Sequence, residues 1–418
     1  MTRRAAIPWK RNLYALWVAQ TLAIVGFSLR VPFLPFYLKD LGTTSTEQQA
    51  LWSGIINAGG AGVMAISAPL WGVISDRYGR KPMVLRSMFA AMLTVGLMGL
   101  ATQAWHLLAL RFIEGAMTGT VTASTALVAA GTPKARLGFA LGMIQTAVFS
   151  GASLGPLFGG VLADQIGYRP TFGVAGAMLG VAGLLVLFLV HEEFRPSARS
   201  AAGGGVRGSL RLALEPTMLP MIATMLIIRL ASMATQPVLP LYVQQLAAGA
   251  SAPASSSASL AGLTLGVLGL TSAISSMILG RMGDRIGHGR ILRWCALGGG
   301  LLYLPMAAAR EPWHLVALQA LFGVAAGGII PSANALVADA TRPERRGVVY
   351  GLMAGAGSLG GFFGPLLGSG LAATLGFPAT FLTTGGILLL LAAGIALGGP
   401  RGRMAGDASL APSAESSP

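Results

Sequence analysis

Residues 72–81 of this chain read GVISDRYGRK, and a second copy of the same pattern follows at 280–290 as GRMGDRIGHGR. Matching residues of the two copies are 208 positions apart: Gly72, Asp76, Arg77 and Gly79 correspond to Gly280, Asp284, Arg285 and Gly287. Three further segments repeat at nearly that spacing: WHLLAL at 105–110 with WHLVAL at 313–318, GPLFG at 155–159 with GPLLG at 364–368, and PFLPFY at 32–37 with PVLPLY at 237–242. The chain is therefore an internal duplication, and we expect two similar halves.

The composition of the chain excludes a water-soluble protein. Of its 418 residues, 54% are hydrophobic and 10% are charged, against about 25% charged residues in an ordinary soluble domain. The net charge of +15 does not indicate a nucleic-acid-binding face, because Lys and Arg form short clusters between long apolar runs. The single cysteine, Cys295, has no partner for an internal disulfide. These features predict an integral membrane protein.

Twelve stretches are long and apolar enough to cross a bilayer, which takes about 20 residues of helix. We place them near 12–38, 50–75, 83–102, 104–130, 136–163 and 170–191 in the first half, and near 216–246, 258–282, 290–309, 312–340, 345–374 and 377–398 in the second half. The predicted fold class is therefore all-α integral membrane, with 12 transmembrane helices in two pseudo-symmetric six-helix bundles.

The positions of the basic residues predict the orientation of the chain. With both termini in the cytoplasm, only three of the 29 Lys and Arg lie on the outer side (Lys39, Arg169 and Arg310) and three lie within spans (Arg30, Arg111 and Arg229). The predicted domains are an N-terminal bundle over 1–191, a cytoplasmic linker over 192–215, a C-terminal bundle over 216–398 and a disordered cytoplasmic tail over 399–418.

The even number of spans in each half gives the two repeats the same orientation. Such repeats are expected to face each other across an axis along the membrane normal and to enclose a central pathway. A duplicated bundle of this kind suits alternating access, in which a site opens in turn to either side of the membrane.

The repeated motifs carry a family resemblance that covers nearly the whole chain. GVISDRYGRK at 72–81 resembles the loop between the second and third helices that marks the major facilitator superfamily, and Arg111 with Gly115 resembles its fourth-helix motif. GASLGPLFGG at 151–160 resembles the fifth-helix motif of its antiporter branch. PWKRNL at 8–13, FSL at 27–29, PFLPFYL at 32–38 and WSGI at 52–55 are similar to MdtG-like multidrug efflux proteins of the drug:proton antiporter group.

This resemblance implies a multi-pass transporter of the cell inner membrane that exports small molecules and is driven by the proton gradient. No cofactor is expected, and no GxxxxGK[ST] loop for ATP phosphates occurs in the sequence. The expected partners are a small-molecule substrate, protons and the lipid bilayer, without nucleic acid, and the transporter is expected to act as a monomer.

The resemblance also implies roles for two motifs. The loop residues Gly72, Asp76, Arg77, Gly79, Arg80 and Lys81, with Asp284 and Arg285 in the second copy, are expected to gate the pathway. A carboxylate here can dock on the positive end of a helix from the other half: Asp76 on the eleventh span near 345–349, and Asp284 on the fifth near Arg136. Basic residues of this loop also help to fix orientation, which is the simpler explanation for Arg80 and Lys81. The antiporter motif residues Gly151, Gly155, Pro156, Gly159 and Gly160 are expected to kink and pack the fifth helix.

Glu114 is the only acidic residue deep within a span, roughly 14 Å below the outer end of the fourth helix. Arg111 lies three residues earlier on the same helix face. We expect these two residues to couple transport to protons, because intramembrane ionisable groups are expensive and usually functional. The alternative is a static ion pair. At this position the family commonly has Gln, so the resemblance does not assign the proton role to Glu114.

Aromatic, Met and amide side chains in several spans are candidates for an adaptable substrate cavity. The candidates are Arg30, Phe33, Tyr37, Met117, Gln145, Phe149, Arg229, Gln236, Asn334 and Phe362. Arg30 and Arg229 lie near the depth of Arg111, and three cations with one carboxylate at one level favour anionic or zwitterionic amphiphiles. Snorkelling of these arginines toward the membrane surface is the alternative.

The sequence leaves two other functions to weigh against export. An uptake symporter for a sugar, an organic acid or an amino-acid-like solute shares the same architecture, but the antiporter motif and the lack of dense polar clusters favour export. The other alternative, from a different class, is a membrane enzyme or a non-transporting receptor. The enzyme is disfavoured because the four histidines, His106, His191, His288 and His314, lack metal-ligand spacing and no GxSxG elbow occurs. No metal site is expected.

Overall fold

The computed structural model describes residues 9–192, 218–249, 256–341 and 346–398, which form helices and no strand. The predicted linker beyond residue 192 and the predicted tail at 399–418 lie outside the described residues. Helices of the first half are α1 (Trp9–Leu29), α2 (Leu34–Asp40), α3 (Thr46–Tyr78), α4 (Arg80–Met98), α5 (Ala104–Met117), α6 (Thr120–Gly131), α7 (Leu137–Ile166) and α8 (Tyr168–Leu189), with a 3-10 turn at Lys134–Arg136. Helices of the second half are α9 (Leu219–Ala234), α10 (Leu239–Gly249), α11 (Ser257–Ile286), α12 (His288–Ala307), α13 (Pro312–Ala340), α14 (Arg346–Leu375) and α15 (Phe377–Gly398).

These helices account for the twelve predicted spans. Ten helical stretches in the described part of the chain are long and apolar enough to cross a membrane. The fourth span is divided between α5 and α6, which are each too short to qualify, and the ninth, α12, is 20 residues long and has His288, Arg290 and Arg293 in its first turns. The first and seventh spans are also interrupted, between α1 and α2 and between α9 and α10. The prediction of an all-α membrane fold is confirmed.

Each bundle has the same internal packing. In the first half α1 packs on α7 and α8, and α4 packs on α8; in the second half α9 packs on α14 and α12 packs on α15. Tyr37 and Tyr242 show how closely the halves correspond. The hydroxyl of Tyr37 donates to the carbonyl oxygens of Met98 and Ala101, at 3.2 Å each, and its ring centroid lies 5.2 Å from that of Phe172. Tyr242 donates to the carbonyl of Met306 at 3.2 Å.

The two bundles meet along α7 with α11 and along α3 with α14. We call the ends where α1 begins and α15 ends the inner face, and the opposite ends the outer face. A methyl group added at Gly262 or Gly266, in the outer half of α11, would meet Pro156 or Leu157 of α7. One added at Gly280, near the inner end of α11, would have no neighbour within 4 Å. This seam is therefore closed at the outer face and open at the inner face.

The seam between α3 and α14 has the same shape. Gly54, in the outer half of α3, lies against Ser369 of α14, and Gly62 lies against the ring of Phe362. Gly72, at the inner end of α3, faces open space. The protein is thus in a conformation that opens toward the face bearing the ends of α1 and α15, which the basic residues predict to be cytoplasmic.

Candidate functional site

Glu114 lies at the centre of a buried charge cluster that joins the first and fourth spans. Arg30, in the break between α1 and α2, donates from Nη1 to Oε2 at 3.0 Å and from Nη2 to Oε1 at 2.8 Å. Arg111, one turn before Glu114 on α5, donates from Nη1 to Oε1 at 2.9 Å. The carboxylate therefore accepts three charge-assisted hydrogen bonds, including one bidentate pair, and the cluster carries a net charge of +1 when Glu114 is ionised.

Close helix packing explains why this cluster is buried. Glu114 is 3% exposed and Arg30 is 7% exposed. The guanidinium of Arg111 lies over Gly60 of α3, where a methyl group would come within 3.0 Å of Cζ, and Gly115 lies against the backbone of Gly60. A larger residue at either glycine would push α3 and α5 apart and displace Arg111.

The fourth span breaks immediately after this cluster. The predicted fourth span, near 104–130, consists of two helices, because α5 ends at Met117 and α6 begins at Thr120. Thr118 is extended and donates its backbone N–H to the carbonyl of Glu114 at 2.8 Å, while Gly119 has φ of 138°, a conformation that favours glycine. Discontinuous membrane helices commonly mark substrate or ion sites, and Glu114 lies in the last turn before such a break.

A second polar cluster adjoins the break, and sequence reasoning missed it. Gln20 of α1 is fully buried; its side-chain oxygen accepts from the Ser124 hydroxyl at 3.0 Å, and its side-chain amide lies 3.5 Å from the Thr120 hydroxyl. These contacts connect α1 to the first turn of α6. A polar side chain in the otherwise apolar first span was the signal that could have identified it.

The antiporter motif packs the fifth span against two partners. Gly151, Gly155 and Gly159 face α1, and a methyl group at Gly159 would collide with the Leu29 carbonyl. Gly360, Gly364 and Gly368 make the corresponding approach from α14 to α9, where Gly368 lies against the Ala234 carbonyl. The other two motif residues, Pro156 and Gly160, face α11 of the opposite bundle, at Gly262 and Ala258. The motif therefore serves packing within its bundle and closure between bundles.

Two of the predicted cavity residues continue the face of α7 that forms this seam. Ser153 lies against Gly269 of α11, and Phe149 and Gln145 follow at steps of four residues toward the inner face. Phe149 is 37% exposed and Gln145 is exposed as well. These two exposed side chains therefore lie on the face of α7 that is turned toward the other bundle, between the closed outer part of the seam and its open inner end.

Phe33 and Tyr37 are not in the position that the sequence predicted. Both are fully buried, and they pack with Tyr168 and Phe172 inside the first bundle, where the centroids of Phe33 and Tyr168 are 5.7 Å apart. The prediction that they line the substrate cavity is wrong for this conformation. Aromatic rings in the interrupted first span are used here to anchor α2 on α8.

The structure places the remaining cavity candidates separately from the charge cluster. Arg229 packs its Cβ against Gly360 of α14 and makes no hydrogen bond or ion pair with another described residue. Phe362 lies in the outer seam against Gly62, Gln236 lies in the break between α9 and α10, and Met117 and Asn334 are exposed. Of the predicted set, only Arg30 joins Arg111 and Glu114.

Comparison with known proteins agrees with this architecture. The sequence model of the Major Facilitator Superfamily matches residues 16–259 and 221–412. The chain belongs to this superfamily. Relatives named multidrug resistance protein MdtG are similar over nearly their whole length: that of Citrobacter koseri is 37% identical over 386 residues, 92% of this chain and 93% of the relative, and that of Dickeya zeae is 35% identical over 390 residues, 93% and 95%.

Solved structures of other transporters share the fold of this superfamily member. The nucleoside transporter NupG has a TM-score of 0.76 at 12% identity and covers 92% of this chain and 98% of its own. A bacterial homologue of the human lysosomal transporter Spinster, in an inward-facing and occupied conformation, has a TM-score of 0.74 at 14% identity and covers 94% and 97%. The resemblance stated from the sequence is confirmed, and the chain is a membrane transporter rather than an enzyme.

The superfamily's signature loop lies at the inner face, between α3 and α4. Gly79 separates the two helices with φ of 99°, and Gly287 separates α11 from α12 with φ of 97°. Each helix pair is thus connected by a single residue in a conformation that favours glycine. Gly72 has no neighbour, and Arg77 is exposed with its Cζ 5.5 Å from the Tyr78 ring.

An acidic residue that the sequence assigned to the linker holds this loop in place. The carboxylate of Glu192 accepts from the backbone N–H of Arg80 at 2.9 Å and from that of Lys81 at 2.7 Å. It therefore caps the first turn of α4, which has no acidic residue of its own. Lys81 also donates from Nζ to the Leu187 carbonyl at 2.9 Å. Arg80 and Lys81 are part of this anchored turn as well as of the basic inner face.

The structure describes the side chain of only one of the two gating aspartates, Asp284. The side chains of Asp76 and of most of its expected partner region near 345–349 lie outside the described part of the structure, so this contact stays a prediction. Asp284 lies 3.2 Å from the Nε2 of His288 on its own bundle, because the two bundles are apart at the inner face. Its expected contact with the fifth span near Arg136 belongs to a conformation that is closed at the inner face, and it stays a prediction. Arg285 is exposed beside Asp284.

Metal-ligating residues do not cluster in the structure. Among residues 9–192, 218–249, 256–341 and 346–398, no group of three or more His, Cys, Asp or Glu side chains could hold a metal ion.

Proposed function

We propose that this transporter exports small amphipathic drugs or toxic compounds from the cytoplasm in exchange for protons, by alternating access. Its relatives of 35–37% identity are named multidrug resistance proteins. The distribution of Lys and Arg supports a cytoplasmic location of both termini in the cell inner membrane. In that orientation the observed conformation is open to the cytoplasm, which is the side from which an exporter loads its substrate. A single chain contains both bundles of the pathway, which supports action as a monomer.

The observation that carries this proposal is the carboxylate of Glu114 bound by Arg30 and Arg111. In the conformation open to the inner face, the guanidinium groups of Arg30 and Arg111 donate three hydrogen bonds to this carboxylate, and this arrangement is proposed to be the state that has released its proton. After substrate loading has turned the protein to its outward-open conformation, a proton arriving from the outer side would neutralise Glu114 and turn one of its oxygens into a donor. The neutral carboxyl group no longer balances the positive charges of Arg30 and Arg111, and the ion pair that connects the first and fourth spans weakens.

Movement of the bundles follows from the same geometry. The first span packs on α7, whose outer half forms one of the two seams. Release of Arg30 from α5 would allow α1, α2 and α7 to shift together, to close the outer seam and to return the protein to the inward-open conformation, where the proton leaves to the cytoplasm. In the outward-open conformation the signature loops would lie close to the opposite bundle, where Asp76 and Asp284 would act as latches on helix N-termini.

The substrate site is proposed to lie between the bundles, next to Gln145 and Phe149, with Met117, Gln236, Asn334 and Phe362 as further candidates. Arg229 lacks an anionic partner among the described residues, and the Glu114 cluster carries a net positive charge. Uncompensated positive charge in the membrane is expensive, so an anionic or zwitterionic ligand would be favoured over a simple cation. Drugs of matched size and opposite charge would reveal this preference, and preferred export of cations would contradict it.

Expression in a drug-sensitive strain tests the proposed function. Wild type and Glu114→Gln would be compared at equal membrane abundance, each with and without a protonophore. We expect wild-type resistance to disappear when the proton gradient collapses and to be absent in Glu114→Gln at any gradient. Resistance that persists in the variant would place proton coupling elsewhere. Drug accumulation above that of the empty strain would favour the uptake symporter.

A further inference from the structure

Within the described residues, the outer end of α11 has no acidic first turn and no side-chain cap from Ser256. This 30-residue helix begins at Ser257. The first backbone N–H groups of a helix have no partner within the helix and carry a partial positive charge. Something outside the helix must satisfy them.

A carboxylate from the opposite bundle supplies this cap. Asp164, in the last turn of α7, accepts from the backbone N–H of Ser259 through Oδ2 at 2.7 Å. Ser259 is the third residue of α11, and its N–H is one that a capping side chain normally binds. The hydrogen bond is charge-assisted and crosses the outer seam between the two bundles, just beyond the contact of Gly160 with Ala258.

The corresponding helix of the first half does not depend on the other bundle. α3 begins after Ser45, whose hydroxyl accepts from the Gln48 N–H at 3.3 Å, and Glu47 lies in its first turn. The position of α14 that corresponds to Asp164 is Ala373, 209 residues later, which has no polar side chain. The pseudo-symmetry of the molecule is therefore broken at this point.

We propose that Asp164 is an outer latch that stabilises the inward-open conformation through this cap. When the bundles part at the outer face, Asp164 leaves with α7 and the first turn of α11 loses its acceptor. The first turn of α11 has no acidic residue to replace that acceptor, so the lost interaction favours the closed outer seam. Asp164 is a positioning residue in this account, since it acts on the balance between conformations and does not contact substrate or the Glu114 cluster.

Distance measurements between two spin labels test this latch without any substrate. The labels would be placed on Leu100→Cys and Ala308→Cys, exposed positions at the outer ends of the third and ninth spans, in a Cys295→Ala background. Asp164→Ala should raise the population with the long outer distance, relative to the population with the short one, by about tenfold. This is the effect expected from the loss of a charge-assisted cap. Asp164→Asn should have a smaller effect, because its amide oxygen still accepts but carries no charge.

Two control variants distinguish the latch from the loss of any outer carboxylate and from the loss of helix stability. Asp40→Ala removes a carboxylate at the outer end of α2 that makes no hydrogen bond or ion pair with a described residue, and it should leave the distances unchanged. Ser256→Asp, added to Asp164→Ala, gives α11 an acidic cap from its own helix. This cap should restore thermal stability but should not restore the wild-type ratio of the two distance populations. The proposal would be overturned if Asp164→Ala and Asp40→Ala had the same distance populations. It would also be overturned if Ser256→Asp fully restored the wild-type populations in Asp164→Ala.

Discussion

Arg30 and Glu114 are joined by two parallel hydrogen bonds of 3.0 and 2.8 Å between positions 84 residues apart in the chain. Each residue adjoins an interruption of its span, Arg30 between α1 and α2 and Glu114 at the last turn of α5. Interrupted helices allow the side chains to meet at this depth while the flanking helices keep their own packing. The pair therefore connects two segments that can move when its charge balance changes.

Glu114→Gln is expected to abolish transport and to lower stability. The amide keeps the size of the side chain but leaves two buried guanidinium groups without a counter-charge, and breaking such a buried pair costs about 3–5 kcal/mol. We expect resistance at the level of the empty strain and a lower Tm of the purified protein. Wild-type resistance from a variant present at equal abundance would contradict the assigned role.

Arg30→Lys and Arg111→Lys should differ in severity. Arg30 makes a bidentate pair that a lysine ammonium cannot reproduce, whereas Arg111 makes one hydrogen bond to the same carboxylate. We expect transport rates to fall about tenfold more in Arg30→Lys, as the loss of one further charge-assisted hydrogen bond implies. Initial rates of substrate efflux at saturating substrate measure this. Equal losses in the two variants would show that the bidentate geometry is unimportant.

Gly159→Ala should destabilise the fifth span, while Gly142→Ala on the same helix should not. A methyl group at Gly159 would collide with the Leu29 carbonyl of α1, but Gly142 has no neighbour within 4 Å. Overpacking of this kind costs about 1–3 kcal/mol, whereas alanine at an open helical position is neutral or favourable. Thermal unfolding followed by fluorescence distinguishes the two, and equal Tm values would contradict the packing role of the motif.

Gly79→Ala should impair the signature loop for a different reason, which is backbone conformation. Gly79 has φ of 99°, whereas Gly72 of the same loop is helical and faces open space. Alanine in a left-handed conformation costs about 1–2 kcal/mol, so Gly79→Ala should lower both Tm and transport, and Gly72→Ala should change neither Tm nor insertion. Unaltered stability in Gly79→Ala would show that the turn can relax.

Much of the fold could be predicted from the sequence because its signals are local. The apolar runs predicted the membrane spans, and the repeat at a spacing of 208 residues predicted the two bundles. Depth along a helix also follows from residue number, which placed Arg30 near the level of Arg111. Rotation about the helix axis does not follow in this way, so the sequence assigned Arg30 to a cavity and left its contact with Glu114 unseen.

The errors have a common physical cause, which is that contacts between distant helices override local patterns. Phe33 and Tyr37 resemble adaptable cavity residues but pack on Tyr168 and Phe172. The apolar run over 104–130 did not reveal the interruption of the fourth span at Thr118 and Gly119. Glu192 was assigned to the linker because its hydrogen-bond donors, the backbone N–H groups at the start of α4, lie more than a hundred residues earlier in the chain.

Reconstituted vesicles with an imposed pH difference test the central claim most directly. A pH-sensitive dye inside the vesicles would report proton movement while a small amphipathic drug is added outside at a known concentration. The account predicts that drug and protons cross in opposite directions in wild type, and that neither flux responds to the pH difference in Glu114→Gln. Drug flux in wild type that is the same with and without the pH difference would contradict it.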